Sequence, residues 1–342
     1  MKRILQAGFL AACMAVLLPA VLWVVARKVE LPALAEPVEA EPLPVREDEP
    51  AEGQTEEETL AFDKAQLVQL ESDGALRQLP LRDYLAGVLM GELPPSFDSE
   101  AVAAQAVAAR TFTLRQLQQG KHDGLLCDDA ACCQAWLPEE QAREKLGDTL
   151  YEQWYVRVLD AIDRTDGQVL TYDGALIEAL FFSCSGGRTE AAAEVWGGDI
   201  PYLVPVDSPG EEDAPRYCTR TEWTAADFRA AILAACPEAG LSGPPETWLG
   251  ECEHTSGGGV KQVRIGEEEF SGASLRAILG LRSTLFTLQA KGDTISITTY
   301  GSGHRVGMSQ YGAQAMAMDG ADYKQILAHY YPETELITLP GA

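Results

Sequence analysis

An α+β fold is predicted for the ordered part of this chain, on three observations. Short alternating runs such as Lys261–Ile265 and Thr294–Thr299 read as strands and are set apart by Pro and Gly. An alanine-rich stretch before Gly120 reads as a helix. No repeat of fixed period runs between Leu60 and Ala342, which argues against solenoids and propellers. With 342 residues, 46% of them hydrophobic, the chain can bury one large core or two modest ones.

Three segments follow from composition. Residues 1–28 read as an amino-terminal membrane anchor. Leu5 to Ala26 is an almost unbroken apolar run of 22 behind Lys2 and Arg3, long enough for about 33 Å of helix. A cleaved signal peptide ending near Ala33-Leu34-Ala35 is the alternative, disfavoured by the length of the run and by Arg27-Lys28. Residues 29–59 hold eleven acidic residues, one arginine, five prolines and no aromatic residue, the composition of a self-repelling, extended tether. Residues 60–342 form the folded unit. With either reading of the amino terminus this unit lies outside the cytoplasm, where thiols oxidise and structural metals persist. The charge of -26, from 26 basic and 52 acidic residues, excludes a nucleic-acid partner.

In the folded unit, Gly91-Glu92-Leu93-Pro94-Pro95 breaks regular structure, so Glu92 is expected on a loop. Asp98 and Ser99 cap the alanine-rich helix, Glu100 lies in its first turn, and its small side chains let backbone approach closely. Arg110 on this helix is expected within reach of Glu92. Strands are expected at Gln168–Thr171 and Ala175–Ser183 around the turn Asp173-Gly174, the second ending in Ser183-Cys184-Ser185-Gly186-Gly187. A loop begins at Gly301-Ser302-Gly303-His304, and helices are expected at Gln310–Met318 and Tyr323–Tyr330.

Taken in order, these motifs resemble the stage II sporulation protein D family. The matching elements are Asp83 to Val88 with Gly91-Glu92-Leu93-Pro94, Ala104 to Thr111, Ser183 to Thr189, Glu194 to Gly197, Leu275 to Ser283, Gly301 to Ala313, and Ile326 to Pro332. The series spans roughly residues 65 to 337, and its order is far more specific than any one motif. Two positions depart from the family pattern: Arg305, where many members have glycine, and Cys184, where a small polar residue is expected.

The resemblance implies a two-lobed ectodomain with a groove, acting as a lytic transglycosylase on peptidoglycan glycan strands stripped of stem peptides. It carries the catalytic role onto Glu92. Cleavage of a sugar–sugar bond needs an acid for the leaving oxygen, and a desolvated carboxyl group supplies one. The same group then serves as base for the C6 hydroxyl of muramic acid, whose intramolecular attack makes a second enzymic nucleophile unnecessary. Candidate substrate-binding residues are Gln105, Arg110, Ser183, Ser185, His304, Gln310 and Tyr311; for each the bland alternative is a structural role. Implied partners are the stage II sporulation amidase P and the membrane protein M, at the engulfing septal membrane. The rival reading is a non-catalytic, glycan-binding amidase enhancer, as related proteins are described.

Seven cysteines lie beyond the anchor, an odd number that cannot pair completely within one chain. His122, Cys127, Cys132 and Cys133 offer four donors within twelve residues, the number a tetrahedral zinc takes. Some family members bind zinc here. A Cys127–Cys133 disulfide is the alternative. With the cluster on zinc, Cys184, Cys218, Cys236 and Cys252 remain as an even set of open connectivity. A closed four-ligand sphere would hold the loop and activate no water, which disfavours a zinc hydrolase.

Overall fold

A computed structural model describes residues 61–341 apart from Ala131 and Arg216. The predicted anchor and tether lie outside the described residues. Among those residues no helix is long and apolar enough to cross a membrane.

The fold is α+β in two lobes. The first begins with α1 (Phe62–Ala65) and the hairpin β1 (Leu67–Ser72) and β2 (Ala75–Pro80), which leads into α2 (Leu81–Glu92) and α3 (Ser99–Gln118). Then come β3 (Leu125–Cys127), α4 (Glu139–Leu146), α5 (Asp148–Arg164), β4 (Gln168–Tyr172), β5 (Ala175–Leu176), β6 (Phe181–Phe182) and α6 (Ala192–Trp196). The second lobe is inserted next: β7 (Cys218–Thr224), α7 (Ala225–Ala235), β8 (Leu249–His254), β9 (Val260–Ile265), β10 (Glu268–Ser271), α8 (Gly272–Leu279), β11 (Phe286–Lys291) and β12 (Thr294–Tyr300). The chain returns to the first lobe through β13 (Met308–Ser309), α9 (Gln310–Met318), α10 (Tyr323–Tyr330) and β14 (Glu335–Thr338).

Helix α3 is the axis of the first lobe. Alanine fills much of it and its residues are buried on every side from Ala101 to Leu114, so α2, α5, α9, α10 and β4 all pack against it. Asp98 caps it as expected, its carboxylate accepting from the Glu100 N–H at 2.9 Å. Three small sheets surround the helices, in the orders β2-β1-β3, β14-β4-β5 and β13-β6. The second lobe has its own apolar core, with Phe228, Ile232, Leu275 and Ile297 at its centre, between the sheets β10-β9-β8 and β11-β12-β7.

Several local expectations need correction. Glu92 is the last residue of α2, not a loop residue. Gly91 stays helical, and its missing side chain leaves room for the Ala135 carbonyl, 3.3 Å from where a Cβ would stand. The strand expected from Ala175 to Ser183 is split into β5 and β6, because each half pairs with a different sheet. Helices α4, α5, α7 and α8 went unread. Helices α9 and α10 have the predicted bounds.

Arg305 fastens the lobes together. Its backbone adopts φ 68°, the left-handed region where glycine is usual. Its fully buried guanidinium donates to Glu190 Oε1 at 2.8 Å, to the Ser185 carbonyl at 2.7 Å, and to the Arg188 and Gly257 carbonyls at 2.8 Å. Gly257 belongs to the β8–β9 loop of the second lobe, and Glu190 also receives Thr255 Oγ1 and the Gly259 N–H from that loop. The departure from glycine is therefore balanced by five hydrogen-bonding partners around one ion pair. Arg305→Gly should relieve the backbone yet lower the unfolding free energy by about 3–5 kcal/mol in urea titration, because it strands the Glu190 carboxylate; a loss below about 1 kcal/mol would show that the clamp is weak.

Candidate functional site

Glu92 projects from the carboxyl end of α2 into a cleft of about 200 Å³ walled by Met90, Leu93, Pro94, Pro95, Lys145 and Leu146. Among the described residues no second carboxyl group lines it. The Glu92 carboxylate accepts the Ala135 N–H at Oε1, 3.2 Å away, and the Gln310 side-chain amide at Oε2, 3.0 Å away. Burial raises its pKa above the ordinary glutamate value of 4.5, and the two hydrogen bonds oppose that rise without cancelling it. The result is a carboxyl group biased toward its protonated form and held in a fixed direction.

Each donor has its own support. Gln310 is the first residue of α9, and Ser309 caps that helix by accepting the Gly312 N–H at 3.2 Å. Ser309 in turn donates its hydroxyl to Glu211. Glu211 is 1% exposed and gathers the Ser185 and Gly186 N–H groups at 2.9 and 2.8 Å, the Ser185 hydroxyl at 2.8 Å and the Ser208 hydroxyl at 2.7 Å. Ser208 is also 2.6 Å from the Tyr330 hydroxyl. One buried carboxylate thus binds the Ser183–Gly187 loop, the start of α9 and the end of α10. Gly312 is required at this crossing, since a Cβ there would stand 2.0 Å from the Tyr330 hydroxyl.

Ala135, the other donor, belongs to the segment that follows the cysteine cluster. Gln134 donates to Thr113 Oγ1 at 2.7 Å, the Leu137 N–H bonds the Gly87 carbonyl at 3.0 Å, and the Trp136 indole lies where a Gly87 side chain would be. Immediately before it, His122, Cys127, Cys132 and Cys133 place one donor atom each within 4.8 Å of all the others. His122 turns back toward the cysteines through left-handed backbone at His122 and Asp123, φ 51° and 57°, and its Nε2 is 3.0 Å from Cys132 Sγ. Tetrahedral zinc with sulfur ligands about 2.3 Å away needs donors about 3.7 Å apart, so the four residues fit the ion. Burial pushes the Cys133 thiol up to about 12; a metal would have to displace that proton. All seven described cysteines are unpaired.

The other predicted site residues divide. Tyr311 stands beside Gln310, half-buried, its ring edge-on to Phe97 with centroids 5.2 Å apart, and its N–H bonds the Ser183 carbonyl at 3.0 Å. The Ser183 hydroxyl has no partner among the described residues. Arg110 does not approach Glu92: its guanidinium is fully buried and spent on Asp63, Thr165 and the Ile162 and Gln168 carbonyls. Gln105 is enclosed within the core, 1% exposed, and Ser185 is buried against Glu211. None of these three can meet a glycan in this fold. His304 packs between Phe182 and Trp196, centroids 5.5 and 5.4 Å away, and accepts the Val306 N–H at Nδ1, 3.2 Å away. Burial, aided by Arg276, depresses its pKa to about 4, so it is neutral at neutral pH. Cys184 donates its thiol to Glu211 at 3.3 Å, replacing the expected polar residue with another donor. Sequence reading missed Lys145, Glu211 and the Ala135 N–H: the first two sit in no motif, and a backbone donor leaves no residue-type signal.

Comparison with known proteins is decisive at this point. Stage II sporulation protein D of Bacillus subtilis (strain 168) is 36% identical over 267 residues, covering 77% of this chain and 76% of the relative. The chain belongs to the stage II sporulation protein D family. Residues 71–172 match the family's sequence profile, SpoIID, "Stage II sporulation protein", which takes in α2, α3 and the cysteine cluster. The protein of the same name from Bacillus amyloliquefaciens is 35% identical, covering 78% of this chain and 76% of the relative. The amidase enhancer of Bacillus subtilis (strain 168) is 29% identical over 74% of this chain but only 40% of its own length.

The raised pKa of Glu92 has a signed consequence for stability. A carboxyl group whose folded pKa lies above its unfolded value stabilises the fold below the unfolded pKa and loses that contribution as pH rises through the folded one. Glu92→Gln does not titrate, so its melting temperature should gain on the wild type between pH 4 and pH 7, and a difference that stays constant over that range would contradict the assigned burial.

Proposed function

We propose that this SpoIID-family chain takes part in sporulation cell-wall processing as a lytic transglycosylase acting on peptidoglycan glycan strands. The observation that carries the reading is Glu92: one desolvated carboxyl group in an open cleft, held by two N–H donors, with no second carboxylate among the described residues of the wall. In its protonated form Glu92 gives its proton to the glycosidic oxygen as C1 gains oxocarbenium character. The carboxylate left behind is received by the Gln310 amide and the Ala135 N–H, preset donors that need no reorganisation. It then takes the proton of the muramic acid C6 hydroxyl as that oxygen bonds to C1. Atoms balance without water, and the product carries a 1,6-anhydro ring. Tyr311 and Ser183, joined to each other next to Gln310, are proposed to meet sugar hydroxyls.

The proposed zinc on His122, Cys127, Cys132 and Cys133 is structural, since four protein ligands close its sphere. It would fix the segment that presents the Ala135 N–H to Glu92. The proposal extends to stem-peptide-free glycan as substrate, to the stage II amidase P and membrane protein M as partners, and to an extracytoplasmic, membrane-anchored location. The likeness to a protein named amidase enhancer supports a second reading, in which the same cleft binds glycan and stimulates an amidase without cutting.

Mass spectrometry of peptide-free glycan incubated with the full-length protein separates these readings. Anhydromuramic products are expected from the wild type, with Glu92→Gln slowed about 10²–10⁴-fold; glycan binding with no anhydro product from the wild type would favour the enhancer. Elemental analysis of protein purified without oxygen should find one zinc per chain. Chelation should lower the melting temperature and slow cleavage together, and a folded, metal-free protein of full activity would refute the zinc assignment.

A further inference from the structure

We infer that Lys145 is a specificity-determining residue, reading a free carboxylate on the muramic acid lactyl arm of the glycan bound beside Glu92. This inference rests on the glycan reading above. Lys145 is exposed in the last turn of α4 and lines the same cleft as Glu92. It makes no ion pair or hydrogen bond among the described residues, although α4 is rich in acid. Arg143, about one turn into the same helix, engages Glu139, Asp148 and Glu152 and so takes up three of the nearby carboxylates. Arg157 is spent on the carbonyls of the wall residue Pro95 and of Phe97. Among the described residues that line the cleft, Lys145 is the one cation.

Its placement suits a ligand charge and not the catalytic acid. Burial raises the pKa of Glu92, and the Gln310 and Ala135 donors oppose that rise. A cation closer by would ionise Glu92 and remove its acid function. A ligand contact also answers a difficulty of charge, because a chain of net charge -26 repels a polymer carrying one carboxylate per disaccharide. That carboxylate is free only where the lactyl group carries no peptide; in the peptide-bearing strand it is an amide.

The test uses the full-length Glu92→Gln protein, so that binding is read without cleavage and the result does not depend on the transglycosylase reading. Three tetrasaccharides of alternating N-acetylglucosamine and N-acetylmuramic acid are titrated: one with free lactyl carboxylates, one with these converted to methylamides, and one retaining stem peptides. The free acid should bind up to about fivefold more tightly than the methylamide at low salt, and the preference should fade in 0.5 M salt, where the Debye length is about 4 Å. Adding Lys145→Met should bring the ratio to about one, while Lys145→Arg keeps it. A parent protein without preference, or a preference that survives Lys145→Met, overturns the assignment. So does Lys145-dependent binding of the peptide-bearing form as tight as the free acid, which would move the contact to a peptide carboxylate.

Discussion

The buried carboxylate of Glu211 is the constraint on which the site depends. A charge enclosed this deeply is tolerated only when donors surround it, and the donors come from three distant parts of the chain: the loop after β6, the cap of α9 and, through Ser208, the end of α10. The first residue of α9 is Gln310, so the position of the amide that meets Glu92 follows from charge satisfaction two residues and one helix cap away.

Around Glu92 two opposing effects set the chemistry. Desolvation favours the neutral acid, and the Gln310 and Ala135 donors favour the anion. Burial prevails in the resting protein, while the donors are already in position for the anion that forms when the proton leaves. The cysteine cluster enters the same balance indirectly, because the segment that follows it supplies the Ala135 N–H and lays Trp136 across Gly87. The close approach is possible only because α2 carries glycine at positions 87 and 91.

Much of this was legible in the sequence, and the failures have physical causes. Glu92, Gln310, Tyr311 and the four cluster residues were named from motifs, and the structure brings Glu92 to Gln310 and gathers the cluster. Asp98 as a cap and the bounds of α9 and α10 followed from local rules that tertiary contacts did not override. Arg110 and Ser185 were misread as ligand-facing because a motif shows that a polar residue matters without showing what it serves; both satisfy buried carboxylates, Asp63 and Glu211. Those acids sit in unremarkable sequence, and only the fold reveals the pairing. Arg305 departs from the family's glycine, and the fold uses its guanidinium to tie the lobes together.

The inserted lobe leaves and returns through neighbouring strands, Cys218 lying opposite Tyr300 in the register of β7 and β12. Everything after Tyr300 belongs to the first lobe, so Glu92 meets its Gln310 partner across 218 residues of chain. As the polypeptide emerges, the acid is made early and remains an incomplete group until almost the last residues have arrived. Long-range closure of this kind is slow, so in a growing chain Glu92 stays without its Gln310 partner until α9 has been made.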